Sequence, residues 1–590
     1  MNIIVKRFVA LCISCCMLLL PMSGCTAIRL FQFANEIMIT PEPQPTITPV
    51  PLPIDNRDNI RFSEMTYTRP DIGAITEKID TIMADIQAEK PVAGLMKAYE
   101  ELQAMYNDAE SQMSLAYLLY AFDVTNDTYQ QEYTMLQSEL TTLDLSMTDV
   151  SIALFESSDE AEQTARTEFG EDYVDTVYAD ETLNDEKIQD LLDAENELIT
   201  EYDRMTASFT LMEGGRKWTL DEILGSDTLD YNSFTRLYTT YCKAFNVQAG
   251  NIYLELLGVR KQIAEKLGYG SYAAYGYDLF GRDYSITDVK ALHAAIKKYI
   301  VPVYVNAEDV DTYELYSKKY DQETFLDSLT VAATKFSPAL AESLGFMLRN
   351  DLYDFSVSAK KMVGSFTTYL PNYNAPFMFS QWTGSSSGVT TVIHELGHFT
   401  NYYHNAVAGW SAADCLDLAE VDSQALELLM MPYYELFYGD QAESAKKDRL
   451  LDCMYALVTG CMEDEFQQEV YANPSMSLEE INRLYQKLAK EYGLVELYGY
   501  TGEEWTLITH TFQTPMYYIS YAVSMVPALE LWEQSQIDPQ IASETYFRIS
   551  NRAPYAGFRQ TLTDNGLSDV FSETTIARLA KRIQEQLMEP

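Results

Sequence analysis

The stretch TVIHELGH, residues 391–398, decides how the rest of this sequence is read. It carries two of the chain's five histidines, His394 and His398, four residues apart, with Glu395 directly after the first. A helix turns once in about 3.6 residues, so both imidazoles leave one face a turn apart. That geometry suits two of the three protein ligands of a catalytic zinc ion, whose fourth position stays open. Glu395 stands about 100° around the helix from His394. A carboxylate there can take a proton from the attacking water. A His-Glu-x-x-His match is expected by chance in roughly one such chain in several hundred. The competing reading is a surface helix with two unconnected histidines, and a third ligand separates the two.

Two residues can complete the set. Glu420 lies 26 residues after His394, in LDLAEVDSQALELLMM. Leu416, Ala419, Ser423, Leu426 and Met430 set a helical period there, so Glu420 can face the first helix across a connecting loop. Two imidazoles and a carboxylate form a recurrent catalytic zinc set, although a lone glutamate in an acidic chain more often faces solvent. His404, ten residues after His394, fits a different pattern, HExxHxxGxxH. That pattern turns the chain at a glycine, where this sequence has Asn401. If the helix runs on instead, His404 lies about 15 Å along its axis from His394. Glu427 falls on nearly the same helix face as Glu420 and can either accept a hydrogen bond from a ligand histidine or sit in solvent.

Composition narrows the partners. The chain has 88 acidic and 41 basic residues and a net charge of -47, which repels phosphate backbones and anionic lipid and excludes nucleic acid as a partner. Solubility and substrate steering both remain open as uses of that charge. With 47% hydrophobic residues among 590, a large packed core is expected rather than disorder.

The N-terminus reads as a targeting segment. A basic start, MNIIVKR, precedes the apolar run FVALCISCCMLLLP and then MSGC. Residues 1–24 are expected to be a lipoprotein-type signal peptide, with Cys25 the lipidated first residue of the mature chain. Plain secretion and an uncleaved anchor are the alternatives. PEPQPTITPVPLP, residues 41–53, cannot form ladders and makes residues 25–58 an extended spacer. The folded body is thus expected outside the cytoplasm, touching the membrane only through its N-terminal lipid. The internal cysteines Cys242, Cys415, Cys453 and Cys461 lack metal-type spacing and are expected to be buried free thiols.

From about residue 70 the pattern is helical. NDEKIQDLLDAENELITEYDRMTASF places Ile188, Leu191, Leu192, Leu198, Ile199, Tyr202, Met205 and Phe209 at three- and four-residue steps. Ser285 with Asp288, and Ser477 with Glu480, mark helix starts. His293 sits on an apolar helix face and is expected to be structural. The helical pattern breaks between about 361 and 388. There GSFTTYL and PFMFSQW read as paired strands with PNYNA as the turn. A sheet edge before the histidine helix can hold an extended peptide, and PFMFSQW is expected to do so. The expected division is a helical region over 59–345 and a zinc-containing catalytic region over 346–590.

HELGH, followed by AEVDSQALE, resembles the oligoendopeptidase F and thimet oligopeptidase family of zinc metallopeptidases. PFMFSQWTGSSSGVTTVIHELGHF, KQIAEKLGYGSYAAYGYDLFGRDYS and HTFQTPMYYISYA are similar to further motifs of that family, in family order from about residue 150 to the C-terminus. Trp382 and Thr383 depart from the smaller or more polar pair expected before Gly384, which bears on subsite preference. The resemblance implies a mostly α-helical, elongated body split by a deep channel, with one zinc per chain on its floor and a small sheet beside the zinc helix. It implies His394, His398 and Glu420 as ligands and Glu395 as general base. Substrates would be short, unfolded oligopeptides. His510, Tyr518 and Tyr521 match the histidine and tyrosines that hold substrate and stabilise the oxyanion, with Tyr517 a substrate contact. Among 43 tyrosines such a cluster also fits core packing. Two rivals are a non-catalytic surface binding protein that keeps the zinc fold and a metzincin-type protease using His404.

Overall fold

Helix accounts for 76% of the structure, as the recurrent three- and four-residue apolar steps require. This computed structural model describes residues 60–183, 188–226, 228–307, 310, 312–362, 364–405, 415–552 and 556–588. The expected signal peptide, Cys25 and the proline-rich spacer lie outside the described residues.

The long helices are α1 (Val92–Phe122), α2 (Asp127–Phe155), α3 (Gln189–Ser208) and α4 (Tyr231–Leu267). Both expected capping boxes form, Ser285 with Asp288 and Ser477 with Glu480. One apolar cluster gathers residues from Ile75 to Val177 around α1 and α2. The main cluster runs from Leu115 to Leu587, and α1 contributes to both. Residue 345 lies inside the helix Pro338–Arg349, whose Leu344 and Phe346 belong to the main cluster. Among the described residues no helix is long and apolar enough to cross a membrane. Cys242, Cys453 and Cys461 are buried free thiols, whereas Cys415, at the start of a helix, is only half-buried.

The strands are few. A hairpin pairs β1 (Leu211–Glu213) with β2 (Arg216–Trp218). The second sheet holds β3 (Tyr353–Asp354), β4 (Phe366–Leu370) and β5 (Ala375–Phe379) in the order β3-β5-β4. β4 and β5 pair antiparallel as expected, Thr367 opposite Met378 and Tyr369 opposite Pro376. Asn374 turns the chain at φ 45°, a conformation asparagine tolerates better than most residues.

The order corrects one expectation. β5 is the central strand, ends at Phe379 and is wholly buried, so PFMFSQW has no edge to offer a peptide. The edge is β4. Met378 N–H donates to Leu352 O at 3.0 Å and Ser380 N–H to Asp354 O at 3.0 Å, so those groups face β3. In an antiparallel ladder the residue opposite such a group also points away from its partner. The backbone N–H and C=O of Thr367 therefore face the free side. Tyr369 shares that phase, opposite a proline without an N–H.

Candidate active site

The histidine helix, α5 (Ser386–His404), begins at Ser385, whose hydroxyl accepts from Gly388 N–H at 3.1 Å. Trp382, just before it, is buried. Its indole donates to Tyr320 O at 3.1 Å and stacks on Phe325 at 4.9 Å. Trp382 thus serves core packing.

The next helix, α6 (Leu416–Leu429), crosses α5 at Gly397. A Cβ on Gly397 would stand 2.5 Å from Asp422 O and 2.6 Å from Ser423 Cα. Only glycine permits that approach, and the approach brings Glu420 to the histidines. Ligand atoms of His394, His398 and Glu420 lie within 4.8 Å of one another. His394 Nε2 and Glu420 Oε2 are 3.7 Å apart, close to the roughly 3.4 Å between two ligands of a tetrahedral zinc. The donor set therefore fits the metal.

Surrounding groups orient the set. His394 Nδ1–H donates to Glu427 Oε1 at 2.8 Å, which turns Nε2 toward Glu420. Arg449, from α7 (Ala442–Ala472), pairs with the other oxygen of Glu427. Ser423 donates to Glu420 Oε2 at 3.1 Å. Thr367, on β4, donates to Glu395 Oε2 at 2.7 Å and also lies 3.1 Å from Glu395 O. Tyr369, two residues on, stacks its ring against Tyr402 at 5.8 Å. One face of the sheet edge thus lies on α5.

The electrostatics favour a cation. Burial lifts the Glu395 carboxyl to about 7, and Glu420 is also raised by burial. Burial works to lower His394, yet Glu427, Glu420 and Glu395 outweigh it and lift the ring to about 9. His398 is pulled down by burial and by its positive neighbours His394 and Arg552. Three carboxylates around two rings stabilise positive charge between them, which is what a divalent ion supplies.

His404 does not join this group. α5 runs unbroken through Asn401 to His404, about 15 Å along the axis from His394. Its Nε2 lies 3.4 Å from Ala339 O, which removes the metzincin-type alternative. His293 is buried with Nε2 2.9 Å from Asp464 Oδ2, a structural place as expected.

The second half of the site comes from the short helix Thr509–Gln513 and from α8 (Ser520–Ile537). His510 is buried and held down to about 4 by that burial, so its ring stays neutral. Its Nδ1 has no hydrogen-bond partner among the described residues. The rings of Tyr517, Tyr518 and Tyr521 lie 5.1, 5.5 and 6.3 Å from it. Tyr517 and Tyr521 hydrogen-bond to each other, and burial with the Glu420 carboxylate raises both. Both are half-buried, as is His398, whereas Tyr518 is buried with its ring edge-on to His510. Solvent therefore reaches the site at His398, Tyr517 and Tyr521. α8 begins only at Ser520, so Tyr518 and Tyr521 do not share a helical face. Gln424 of α6 ties the halves together, donating to Tyr521 O at 3.5 Å and accepting from Ser524 at 3.0 Å.

Sequence reading missed Thr367, Ser423 and Arg449. Only Thr367 carried a signal, its place in a strand beside the histidine helix.

Residues 62–183 match the Peptidase M3 N-terminal domain, and residues 307–546 match Peptidase family M3. A comparison with curated proteins gave no match. Among solved structures, PZ peptidase A with an inhibitor is similar at a TM-score of 0.76 and 23% identity, over 89% of this chain and 99% of that one. A Bacillus anthracis chain assigned to oligoendopeptidase F gives 0.71 and 23%, over 90% and 98%. Oligoendopeptidase F from Enterococcus faecium gives 0.59 and 14%, over 88% and 96%. At these identities the likeness is one of fold.

Proposed function

The chain belongs to peptidase family M3 and is a metallopeptidase, and we propose that it is a zinc endopeptidase of short, unstructured peptides. The observation that carries this reading is the meeting of His394, His398 and Glu420 within 4.8 Å, with Glu395 next to His394 on the same helix. A zinc ion held there supplies Lewis acidity. Glu395 takes the proton of the attacking water and passes it to the leaving amine. Thr367 occupies one of its oxygens and so aims the other. His510 and the tyrosine hydroxyls donate to the oxyanion. Exposure favours Tyr517 and Tyr521 for that contact, with Tyr518 supporting the His510 ring. The β4 edge pairs with an extended peptide backbone through Thr367 and Tyr369. The reading as a binding protein without catalysis leaves the buried, hydroxyl-held Glu395 without a use.

The test is digestion of a mixed peptide library by the purified protein. Short peptides are expected to be cut internally, folded proteins spared, and cleavage to stop on chelation and return with zinc. Cleavage that survives metal removal would sink the zinc reading, and trimming confined to chain ends would sink the endopeptidase reading.

The proposal extends to location on sequence grounds: an extracytoplasmic enzyme tethered through Cys25 and the proline spacer. Cys25→Ser is expected to abolish labelling by radioactive palmitate and to shift the protein out of the membrane fraction. A wild-type chain that takes up no label would refute the tether.

A further inference from the structure

The segment carrying His510 and the tyrosines is held through its backbone by two buried polar side chains from distant helices. Arg260, on α4, has no exposed side-chain surface. Its guanidinium donates to Thr511 O at 3.0 Å and to Phe512 O, the carbonyls of the two residues that follow His510. These belong to the last turn of the short helix, where carbonyls lack intrahelical donors. Arg260 is fixed in turn. Its Nε donates to Glu195 Oε1 at 2.5 Å, and Nη1 also lies 3.0 Å from Tyr471 OH. Tyr272 donates to the same Glu195 oxygen at 3.1 Å. At the other end of the segment Met516 adopts φ 64°, a conformation that L-residues rarely take. It is held there by Gln467 of α7, fully buried, whose Oε1 accepts from Met516 N–H at 2.8 Å.

Burying a guanidinium is costly unless its donors are used, and this one directs both terminal nitrogens to the backbone beside His510. We propose that Arg260 and Gln467 are positioning residues for the reaction. Arg260 sets the placement of the His510 ring, and Gln467 sets the turn that delivers Tyr517 and Tyr521. The proposal rests on the reading of His510 and these tyrosines as oxyanion donors. It links α3 and α4, outside the zinc region, to the chemistry by a route that touches neither metal nor substrate.

The test is a double-mutant cycle in the full chain. Arg260→Lys keeps a charge for Glu195 but not the planar fork that spans two carbonyls. Alone it is expected to lower kcat by about 10²-fold, the scale of a misplaced catalytic group. KM should change less than about threefold, because ground-state binding is untouched, and zinc content should be unchanged. In a His510→Gln background the further loss of kcat should shrink to less than about threefold, since both changes act through one group. Gln467→Leu, tested against Tyr521→Phe, is expected to behave alike and carries the test if Arg260→Lys does not fold. Equal losses in both backgrounds, or full kcat in Arg260→Lys, would overturn the proposal while leaving the oxyanion reading intact. A His510→Gln enzyme with undiminished kcat would overturn that reading and this proposal with it.

Discussion

Glu395→Gln is expected to lower kcat by about 10³- to 10⁴-fold, at the upper end of what a positioned general base contributes. The substitution is close to isosteric. The amide oxygen of glutamine can still accept from the Thr367 hydroxyl, which lies 2.7 Å from Glu395 Oε2. The helix face and the ligand histidines should therefore stay in place. What is lost is the ability to take a proton and return it. The measurement is steady-state kinetics on one cleaved peptide beside zinc content by atomic emission. A low kcat with one zinc per chain and a nearly unchanged KM is the predicted pattern. Cleavage at the wild-type rate would remove Glu395 from the chemistry, whereas loss of zinc would reassign it to the metal's surroundings.

Glu420→Ala is expected to affect the metal first. It deletes the only carboxylate of the donor set and leaves two imidazoles, with Ser423 deprived of the acceptor it meets at 3.1 Å. Zinc affinity, read by competition with a chromophoric chelator, should fall by more than in Glu427→Gln. That second change loosens the 2.8 Å contact that orients His394 and takes the carboxylate from Arg449, an effect on the order of 10- to 100-fold. His404→Ala should bind zinc like the wild type. Retention of wild-type affinity by Glu420→Ala would break the proposed coordination, and activity would then have to come from another ligand set.

The parts of this site that lie within one helix were readable without coordinates. The four-residue spacing of His394 and His398 is a local property, and so is the period that turns Glu420 inward. Contacts made by the fold as a whole were not. β5 became the central strand because of β3, two residues long, too short for any periodicity. The relative placement of Tyr518 and Tyr521 was not legible either, because the turn at Met516 sets their phase and the helix starts later, at Ser520. Arg449 and Arg260 gave no signal, since an arginine's worth here depends on which carboxylate or carbonyl the folded chain sets before it. Gly397 was legible as part of a motif but not in its purpose, which is steric and requires the second helix.

Thr367 faces two ways. Its main chain looks outward along the sheet's border, and its hydroxyl reaches inward to the carboxyl of Glu395, the proposed base. In the proposed reading, substrate registration and alignment of that acid are geared to a single five-residue segment. A peptide seated out of step would tug on the rail that steadies the carboxylate, so poor fit would slow turnover as well as weaken attachment.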